Sequence, residues 1–310
     1  MANSGKPLPD GIISVIQTPF REDGGIDYQS LRAIIVDAVA CGVDGFLTPA
    51  VASESSCLSL EERCSLVNFT LEVAGGRVPV VVGASSDAEA ECRHLGILAS
   101  DVGAEAWLVA VPQALYGEQS EVPGFFRRVS EGIELPLIIQ DMQFSGPGLD
   151  MRVIGELGRG LPGLAGMKIE TQPAGPKYTA VRQIMGEEFF IAGGWAVPQM
   201  IEALDRGVNA MIPESSMVRA YSCIFDLYRR GQRERAVEVF RRLLPILAFS
   251  NQDLATSIAF FKRLLVKRGV FRSPRMRLPG FRWDEYNSRI ADELIDCYLA
   301  LESDIGASHP

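Results

Sequence analysis

Residues 164–170 read LAGMKIE, a short apolar run with the length of one buried strand and a single lysine, Lys168, near its end. Lysine is scarce in this arginine-rich chain and occurs only at Lys6, Lys168, Lys177, Lys262 and Lys267. An ammonium group buried among apolar side chains is costly unless it is paired or neutralised. Desolvation favours the neutral amine, which is a nucleophile toward carbonyl groups. The alternative is a lysine at a strand end whose ammonium group reaches the surface, and the pattern of the whole chain decides between the two.

Short apolar runs of strand type alternate with longer amphipathic patterns as far as residue 230. The predicted strands cover residues 13–20, 45–48, 78–83, 105–111, 135–141, 164–170, 188–193 and 208–213. The predicted helices cover residues 28–40, 60–74, 87–102, 122–132, 151–158, 178–185, 197–206 and 215–230. Continuous apolar strands separated by amphipathic helices indicate a parallel sheet covered by helices. Eight such units predict an α/β fold of the (β/α)8 TIM-barrel type.

A doubly wound sheet is the second interpretation of the same alternation. It would favour a glycine-rich fingerprint after an early strand, whereas Gly45 and Gly83 are isolated. Beyond the eighth strand the pattern is helical only, at residues 233–249, 253–267 and 283–301, with an extended break at 273–280. We therefore predict a barrel over residues 10–231 and a C-terminal three-helix extension over residues 232–303.

Composition excludes several classes of function. The net charge is −9, and no basic cluster indicates a nucleic-acid surface. No stretch reaches the roughly 20 apolar residues of a membrane helix, and the first residues lack the apolar core of a signal peptide. The six cysteines form no C-x-x-C motif, which is typical of reduced thiols in a cytoplasmic protein. With only His94 and His309, we expect no histidine triad and no metal or other cofactor.

In a barrel of this kind the active site lies at the carboxyl ends of the strands. The predicted ends are residues 18–20, 49–54, 83–85, 112–113, 140–141, 168–170, 193–195 and 213–214. Lys168 is the only lysine in that ring, and no carboxylate cluster in it suits a metal. In this context an amine nucleophile at the barrel mouth becomes the favoured interpretation of Lys168.

Several of these strand ends form a set when they are taken in order. They are Thr18-Pro19-Phe20, Ser53-Glu54-Ser55 followed by Leu58-Ser59-Leu60-Glu61-Glu62, Gly76-Arg77-Val78-Pro79-Val80, and Gly166-Met167-Lys168. In this order and spacing, over essentially the whole chain, the sequence resembles the dihydrodipicolinate synthase and N-acetylneuraminate lyase superfamily of Schiff-base lysine barrels. The resemblance implies that Lys168 is the Schiff-base lysine. It also implies that the loop Val51-Ala52-Ser53 binds the carboxylate of a 2-oxo acid, largely through backbone N–H groups.

The chain departs from the superfamily at the hydroxyl groups that relay protons. In place of Gly-Thr-Thr-Gly-Glu after the second strand it has Ala50-Val51-Ala52-Ser53-Glu54, so the relay threonine is lost at Val51. The fifth strand ends in Gln140-Asp141 instead of Tyr-Asn, and the interface tyrosine falls near Gln113-Ala114, with Tyr116 out of register. A glutamine amide can hydrogen-bond a substrate but cannot shuttle a proton near neutral pH. These changes argue against ordinary dihydrodipicolinate synthase or neuraminate lyase activity.

The replaced motifs are similar to a narrower branch, the L-2-keto-3-deoxyarabonate dehydratases and their relatives. The similar residues are Gln140-Asp141, Lys168-Ile169-Glu170-Thr171 with Lys177 following, and Ser273-Pro274-Arg275. The resemblance implies a Schiff-base lyase that dehydrates a 2-keto-3-deoxy sugar acid. Its catalytic residues would be Lys168, Gln140 and Asp141, and its substrate-binding residues Val51, Ala52, Ser53, Gly193 and Glu170.

In this chemistry Lys168 condenses with the C2 ketone, and the iminium acidifies the C3 proton. The resulting enamine expels the C4 hydroxyl as water. Asp141, Glu170 and Ser53 are unranked candidates for the general base. A structural role as an ion pair or backbone cap is favoured for Glu54 and Glu170, and a loop cap carries equal weight for Asp141.

Two other functions remain open. One is a pyruvate-dependent aldolase or a dihydrodipicolinate synthase-like condensing enzyme, in which the same intermediate forms or breaks the C3–C4 bond. The other is a non-catalytic barrel that binds a small 2-oxo acid. In each case the expected partner is a small-molecule 2-oxo acid, with no nucleic acid and no membrane. The resemblance also implies a homo-oligomer, a tetramer or a dimer.

Overall fold

The computed structural model describes residues 8–195 and 197–308. Eight parallel strands pair in chain order and close into a barrel, with β8 hydrogen-bonded to β1. The strands are β1 (Gly11–Val15), β2 (Gly45–Thr48), β3 (Val80–Gly83), β4 (Ala106–Ala110), β5 (Leu137–Gln143), β6 (Leu164–Thr171), β7 (Phe190–Gly193) and β8 (Ala210–Met211). The barrel helices are α1 (Tyr28–Ala40), α2 (Leu60–Ala74), α3 (Glu89–Asp101), α4 (Val122–Ser130), α5 (Met151–Gly160), α6 (Ala174–Met185), α7 (Met200–Asp205) and α8 (Val218–Arg229). The extension consists of α9 (Arg233–Ser250), α10 (Leu254–Lys267) and α11 (Glu285–Ser308). The predicted (β/α)8 barrel with a C-terminal helical extension is confirmed.

Two strands end two or more residues earlier than their sequence patterns indicate. β1 ends at Val15, and beyond it the Thr18 hydroxyl donates to the Ser53 carbonyl at 2.7 Å, so this segment joins the loop after β2. β8 ends at Met211, two residues before Pro213, which has no N–H group to donate to the ladder. The ends of both strands are therefore loop residues at the barrel mouth.

Helix starts also differ from the predicted ones. α6 begins at Ala174, four residues early, because Pro176 lies in the first turn, where a missing N–H group costs nothing. α7 begins at Met200, three residues late, since Val197 has a φ of 64° that a helix does not accept.

Side chains along the strands alternate between the barrel interior and the helix layer. The interior cluster consists of Ile13, Val15, Leu47, Ala50, Val81, Ala106, Leu108, Ile138, Phe190, Ala192, Ala210 and Ile212. A larger apolar cluster lies between the strands and the helices and continues into the extension through residues such as Phe240 and Tyr298. It crosses the boundary predicted between residues 231 and 232, so the barrel and the extension share packed apolar side chains.

A buried ion pair ties the extension to the loop after β2. Lys262 on α10 places its Nζ 2.5 Å from Glu54 Oε1, and both side chains are fully buried. Glu54 Oε2 accepts the N–H groups of Arg277 at 2.7 Å and Leu278 at 2.9 Å. The Lys262 ammonium also lies 4.4 Å from the Phe20 ring centroid. Buried charges persist when they are paired and hydrogen-bonded in this way, so this pair fixes the loop.

All six cysteines are free, and His94 is an exposed residue of α3. Within residues 8–195 and 197–308, no helix is long and apolar enough to cross a membrane. The same residues bring together no group of three His, Cys, Asp or Glu side chains that could hold a metal ion. Residues 1–7, where the sequence predicts no signal peptide, and His309 lie outside the described residues.

Candidate active site

Lys168 faces the barrel interior near the carboxyl end of β6. Its neighbours Met167 and Ile169 pack outward against the helices, so strand alternation turns Lys168 and Glu170 inward. The Lys168 Nζ lies 3.1 Å from Glu170 Oε1, and each side chain is only 5% exposed. The lysine is therefore buried and paired, and it does not extend to the surface.

The Glu170 carboxylate is fixed by three donors. Besides the Lys168 ammonium, Oε1 accepts the Trp195 N–H at 2.7 Å, and Oε2 accepts the Gln140 amide at 2.5 Å. Gln140 on β5 lies beside Lys168 in the strand register. Hydrogen bonds to a charged group are among the stronger ones in proteins, so the carboxylate is held in place. Glu170 thus forms the expected ion pair, and it does so beside the candidate nucleophile.

Gly193 does not face this site, contrary to the prediction that it binds substrate. A Cβ built on Gly193 would meet the Tyr178 hydroxyl at 2.8 Å, on the outer face of the strand. The next residue faces inward instead, because a Cβ on Gly194 would lie 2.1 Å from Glu170 Oε1 and 2.6 Å from Lys168 Cε. Only a residue without a side chain allows the backbone to pass so close to the pair, so Gly194 is the glycine that shapes the site.

A cavity opens over Lys168 at the carboxyl end of the barrel. Its walls are formed by Val15, Val51, Ala52, Met142, Phe144, Lys168, Glu170, Trp195, Ile212, Pro213, Glu214, Leu254 and Ser257. The rings of Phe144 and Trp195 stack with centroids 4.1 Å apart, and α10 supplies Leu254 and Ser257. The cavity is mainly apolar, with two carboxyl groups, one amine and one hydroxyl among its described side chains.

The loop after β2 contributes to the cavity in part. Val51 and Ala52 line it, and the described residues supply no acceptor for the N–H group of either. Ser53 is fully buried behind them: its hydroxyl donates to the Ile16 carbonyl at 2.5 Å and accepts the Ala50 N–H at 3.0 Å. Ser53 therefore holds the loop in shape, and its hydroxyl does not face the cavity.

Asp141, predicted as catalytic, lies on the outer face of β5 and does not line the cavity. Its Oδ2 lies 2.6 Å from the Lys177 Nζ, and its Oδ1 accepts the Tyr116 hydroxyl at 2.9 Å. The Leu149 N–H also donates to both oxygens, at 3.2 and 3.1 Å. Since successive strand residues point to opposite faces, an inward Gln140 requires an outward Asp141. The structure does not bring Asp141 together with Lys168.

Lys177 and Tyr116 complete this outer cluster. The Lys177 ammonium donates to the carbonyls of Pro147 at 2.5 Å and Leu149 at 2.9 Å, and burial lowers its pKa although Asp141 acts in the opposite direction. The Tyr116 hydroxyl accepts the Met142 N–H at 2.7 Å, and burial together with Asp141 raises its pKa. This cluster fixes the loop after β5, which carries the cavity residue Phe144.

Glu214 is a cavity residue that the sequence interpretation did not select. It follows β8, is 4% exposed, and accepts the Gln17 amide at 2.8 Å and the Ser216 N–H at 2.5 Å, both on Oε2. Burial raises the pKa of this carboxyl above its ordinary value. Its position in the ring of strand ends was the available signal, but the sequence does not show that the carboxyl is buried without a cation.

The fold and the site define a (β/α)8 barrel with a buried amine, paired with a carboxylate, at the carboxyl end of the strands. The sequence profile of the dihydrodipicolinate synthetase family matches residues 8–295. The chain belongs to this family and is a lyase of the Schiff-base, class I aldolase kind.

Individual relatives agree with this assignment. The chain is 28% identical over 287 residues to L-2-keto-3-deoxyarabonate dehydratase of Azospirillum brasilense, covering 90% of this chain and 91% of that one. It is 39% identical over 132 residues to 4-hydroxy-tetrahydrodipicolinate synthase of Aromatoleum aromaticum, covering 43% of this chain and 45% of that one. Among solved structures, 4-hydroxy-tetrahydrodipicolinate synthase from Methylacidiphilum fumariolicum SolV superposes with a TM-score of 0.86 at 20% identity, over 97% of this chain and 99% of that one. This last likeness shows the shared fold.

Proposed function

We propose that Lys168 forms a Schiff base with a 2-oxo acid and that the enzyme dehydrates a 2-keto-3-deoxy sugar acid. The observation that carries the proposal is the buried pair of Lys168 Nζ and Glu170 Oε1, 3.1 Å apart, in a cavity at the barrel mouth. The similarity to L-2-keto-3-deoxyarabonate dehydratase over nine tenths of both chains supports the substrate class.

The substrate carboxylate would bind at the loop after β2. Val51 and Ala52 line the cavity there, and their N–H groups have no acceptor among the described residues. Backbone N–H groups that lack a partner in a closed site are suited to a carboxylate. Ser53, predicted to bind substrate, would act through the shape of this loop, because its hydroxyl is engaged by backbone groups.

Glu170 is the base that the geometry favours for the C3 proton. It accepts the Trp195 N–H, contacts the amine that would carry the substrate, and lines the cavity. Once the imine has formed, its C3 atom lies two bonds from the Lys168 nitrogen, within reach of a carboxylate in contact with that nitrogen. Gln140 would orient Glu170 through its amide, and Asp141 would act only on the loop behind the site.

An aldolase or a condensing enzyme needs a proton relay at the C4 oxygen. Among the described lining residues Ser257 carries the only hydroxyl, and Val51 occupies the wall where the superfamily places a threonine. The Tyr116 hydroxyl is engaged by Asp141 and the Met142 N–H. This distribution of groups favours water loss from C4 over cleavage of the C3–C4 bond.

The proposal includes a homo-oligomeric protein, a tetramer or a dimer, in the cytoplasm. The free cysteines are compatible with a reducing compartment. Light scattering coupled to size-exclusion chromatography measures the mass in solution, and a monomer at micromolar concentration would contradict the oligomer.

The test is intact mass after sodium borohydride reduction with pyruvate and, separately, with 2-keto-3-deoxy-L-arabonate, followed by peptide mapping. We expect a reduced adduct on Lys168 that Lys168→Arg abolishes. The matched control is Lys267→Arg, whose side chain is 58% exposed on α10 and whose change leaves the adduct intact. Water loss, measured as a new unsaturated or aldehyde product, distinguishes dehydration from release of pyruvate. Absence of an adduct in folded protein would leave only the binding-protein alternative.

A further inference from the structure

Glu214 carries an uncompensated carboxyl group in the same cavity as Lys168 and Glu170. Strand alternation turns it inward with Ala210 and Ile212, and it lines the cavity while being 4% exposed. One oxygen, Oε2, accepts the Gln17 amide at 2.8 Å and the Ser216 N–H at 2.5 Å. The other oxygen, Oε1, is buried and has no hydrogen-bond partner among the described residues.

The side chains that bond or border the Glu214 carboxyl are neutral, while the charged pair of Lys168 and Glu170 lines the same cavity. The neutral groups are the Gln17 amide, the Ser216 hydroxyl, and the phenols of Tyr221 on α8 and Tyr298 on α11, whose pKa values are raised by burial. The Ser216 hydroxyl and the Met217 N–H favour the ionised carboxyl, and the Tyr221 hydroxyl lies beside it, but burial acts in the opposite direction and has the larger effect on the Glu214 pKa. No cation of the described residues forms an ion pair with Glu214, whereas Glu170 contacts the Lys168 ammonium. A buried carboxyl with neutral neighbours is most stable when it is protonated.

A structural role for Glu214 would be to accept the N–H groups of Ser216 and Met217 just ahead of α8. The bonds to Gln17 and Ser216 use a single acceptor oxygen, which the carbonyl of a glutamine side chain would supply equally well. The second oxygen, Oε1, has no described group in hydrogen-bond geometry, although the Ser216 and Tyr221 hydroxyls lie beside the carboxyl. A carboxyl that lines a cavity and has such an oxygen is able to bond a polar group of a bound ligand, such as a substrate hydroxyl.

We propose that Glu214 is the general acid that protonates the C4 hydroxyl of the substrate as it leaves. The inference rests on the proposed function, because it requires a 2-keto-3-deoxy acid held on Lys168. It completes a pair of carboxyl groups with opposite tasks, in which ionised Glu170 takes a proton and neutral Glu214 gives one. Environments that separate two titratable groups in this way are how enzymes assign acid and base roles.

The proposed dehydration begins with the condensation of the substrate on Lys168. The Lys168 ammonium and the C2 ketone give the protonated imine and one water. Glu170 takes a C3 proton, leaving a neutral enamine. The enamine electrons re-form the C=N bond and make a C3=C4 bond while the C4–O bond breaks, and the Glu214 proton joins the departing hydroxyl to give water. Hydrolysis of the unsaturated iminium releases a 3,4-unsaturated 2-oxo acid and the Lys168 ammonium. The proton held by Glu170 then returns to Glu214 through cavity water.

The decisive variant is Glu214→Gln, which keeps an acceptor for Gln17 and Ser216 but cannot donate an acidic proton. Three rates are compared: borohydride trapping with pyruvate, exchange of the C3 hydrogens of pyruvate with deuterated water, and water loss from 2-keto-3-deoxy-L-arabonate. We expect trapping and exchange to remain and water loss to fall by about 100-fold or more, the range of general acid catalysis. Glu170→Gln should instead lose exchange together with water loss. Glu293→Gln, at a glutamate that is 67% exposed on α11, is the matched control.

A second substrate removes the need for the acid. Chloride leaves without a proton, so Glu214→Gln should release chloride from 4-chloro-2-oxobutanoate at the wild-type rate. Unchanged water loss in Glu214→Gln, or parallel loss of exchange, water loss and chloride release in a folded variant, would overturn the proposal. A wild-type enzyme without a borohydride adduct would overturn the proposed function itself, and with it this inference.

The wild-type enzyme provides a measurement that does not depend on how the variant folds. Water loss should decline as the pH rises and Glu214 loses its proton, while chloride release from 4-chloro-2-oxobutanoate should not share that decline. Identical pH profiles for the two leaving groups would contradict the role of Glu214.

Discussion

Replacing Lys262 by methionine tests how the loop after β2 is held. Lys262 and Glu54 are both fully buried at 2.5 Å, so Lys262→Met leaves a buried carboxylate without its cation. Breaking a buried pair at one partner costs about 3–5 kcal/mol. The Arg277 and Leu278 N–H groups still bond Glu54 in the variant, which places the expected loss in free energy of unfolding near the lower value, about 3 kcal/mol.

The assay is urea unfolding at neutral pH, read as the shift in midpoint at constant slope. The double variant Lys262→Met with Glu54→Gln removes both charges and should recover part of the loss, because partners in contact are not additive. Since Glu54 follows the loop that contributes Val51 and Ala52 to the cavity, Lys262→Met should also raise the KM for the 2-oxo acid. A loss below about 1 kcal/mol, or additive effects in the double variant, would refute this account of the pair.

Three further predictions concern Asp141, Gly194 and the titration of Lys262. Asp141→Asn should lower the free energy of unfolding by about 3 kcal/mol, because it leaves the buried Lys177 without its anion. The variant should still form the borohydride adduct with pyruvate. Loss of the adduct at an unchanged melting temperature would show instead that Asp141 takes part in catalysis. Gly194→Ala should abolish the borohydride adduct, because the new Cβ would lie 2.1 Å from a Glu170 oxygen. The control Gly163→Ala should keep the adduct, because nothing lies within 4 Å of the new Cβ. Circular dichroism checks that both variants fold. Burial lowers the pKa of Lys262 to about 8, below its value of about 10.4 in an unfolded chain. Because the unfolded state therefore holds the proton more tightly, the free energy of unfolding should rise with pH between those two values. Urea unfolding of wild type and Lys262→Met across that interval measures the difference, and a wild type that loses stability relative to the variant would contradict the sign.

The barrel was predictable from the sequence because eight buried strands alternate with amphipathic helices, and each strand carries its own apolar signal. The position of Lys168 followed from its place near the end of such a strand. Alternation, applied as strictly to Asp141 as to Gln140, would also have predicted that Asp141 faces outward. The choice of Gly193 over Gly194 is the same one-residue error, which a short strand such as β7 does not resolve by pattern alone.

Other features could not be predicted because they depend on contacts distant in sequence. Glu54 and Lys262 are 208 residues apart, and no local pattern couples them. The same holds for Glu214: packing around the closed barrel decides whether its carboxyl meets a cation or a neutral group such as Gln17, 197 residues away.

Two carboxyl groups of this molecule form ion pairs away from the cavity, and two others line it. Asp141 points outward and pairs with Lys177 behind the loop that carries Phe144. Glu54, which follows the cavity turn, likewise pairs away from the cavity with Lys262. Glu170 and Glu214 point inward, one beside a cation and the other without one. Because the outer pairs fix the loops that form the walls, Glu170 and Glu214 share one small apolar space; in the proposed dehydration the first would act as the base and the second as the acid.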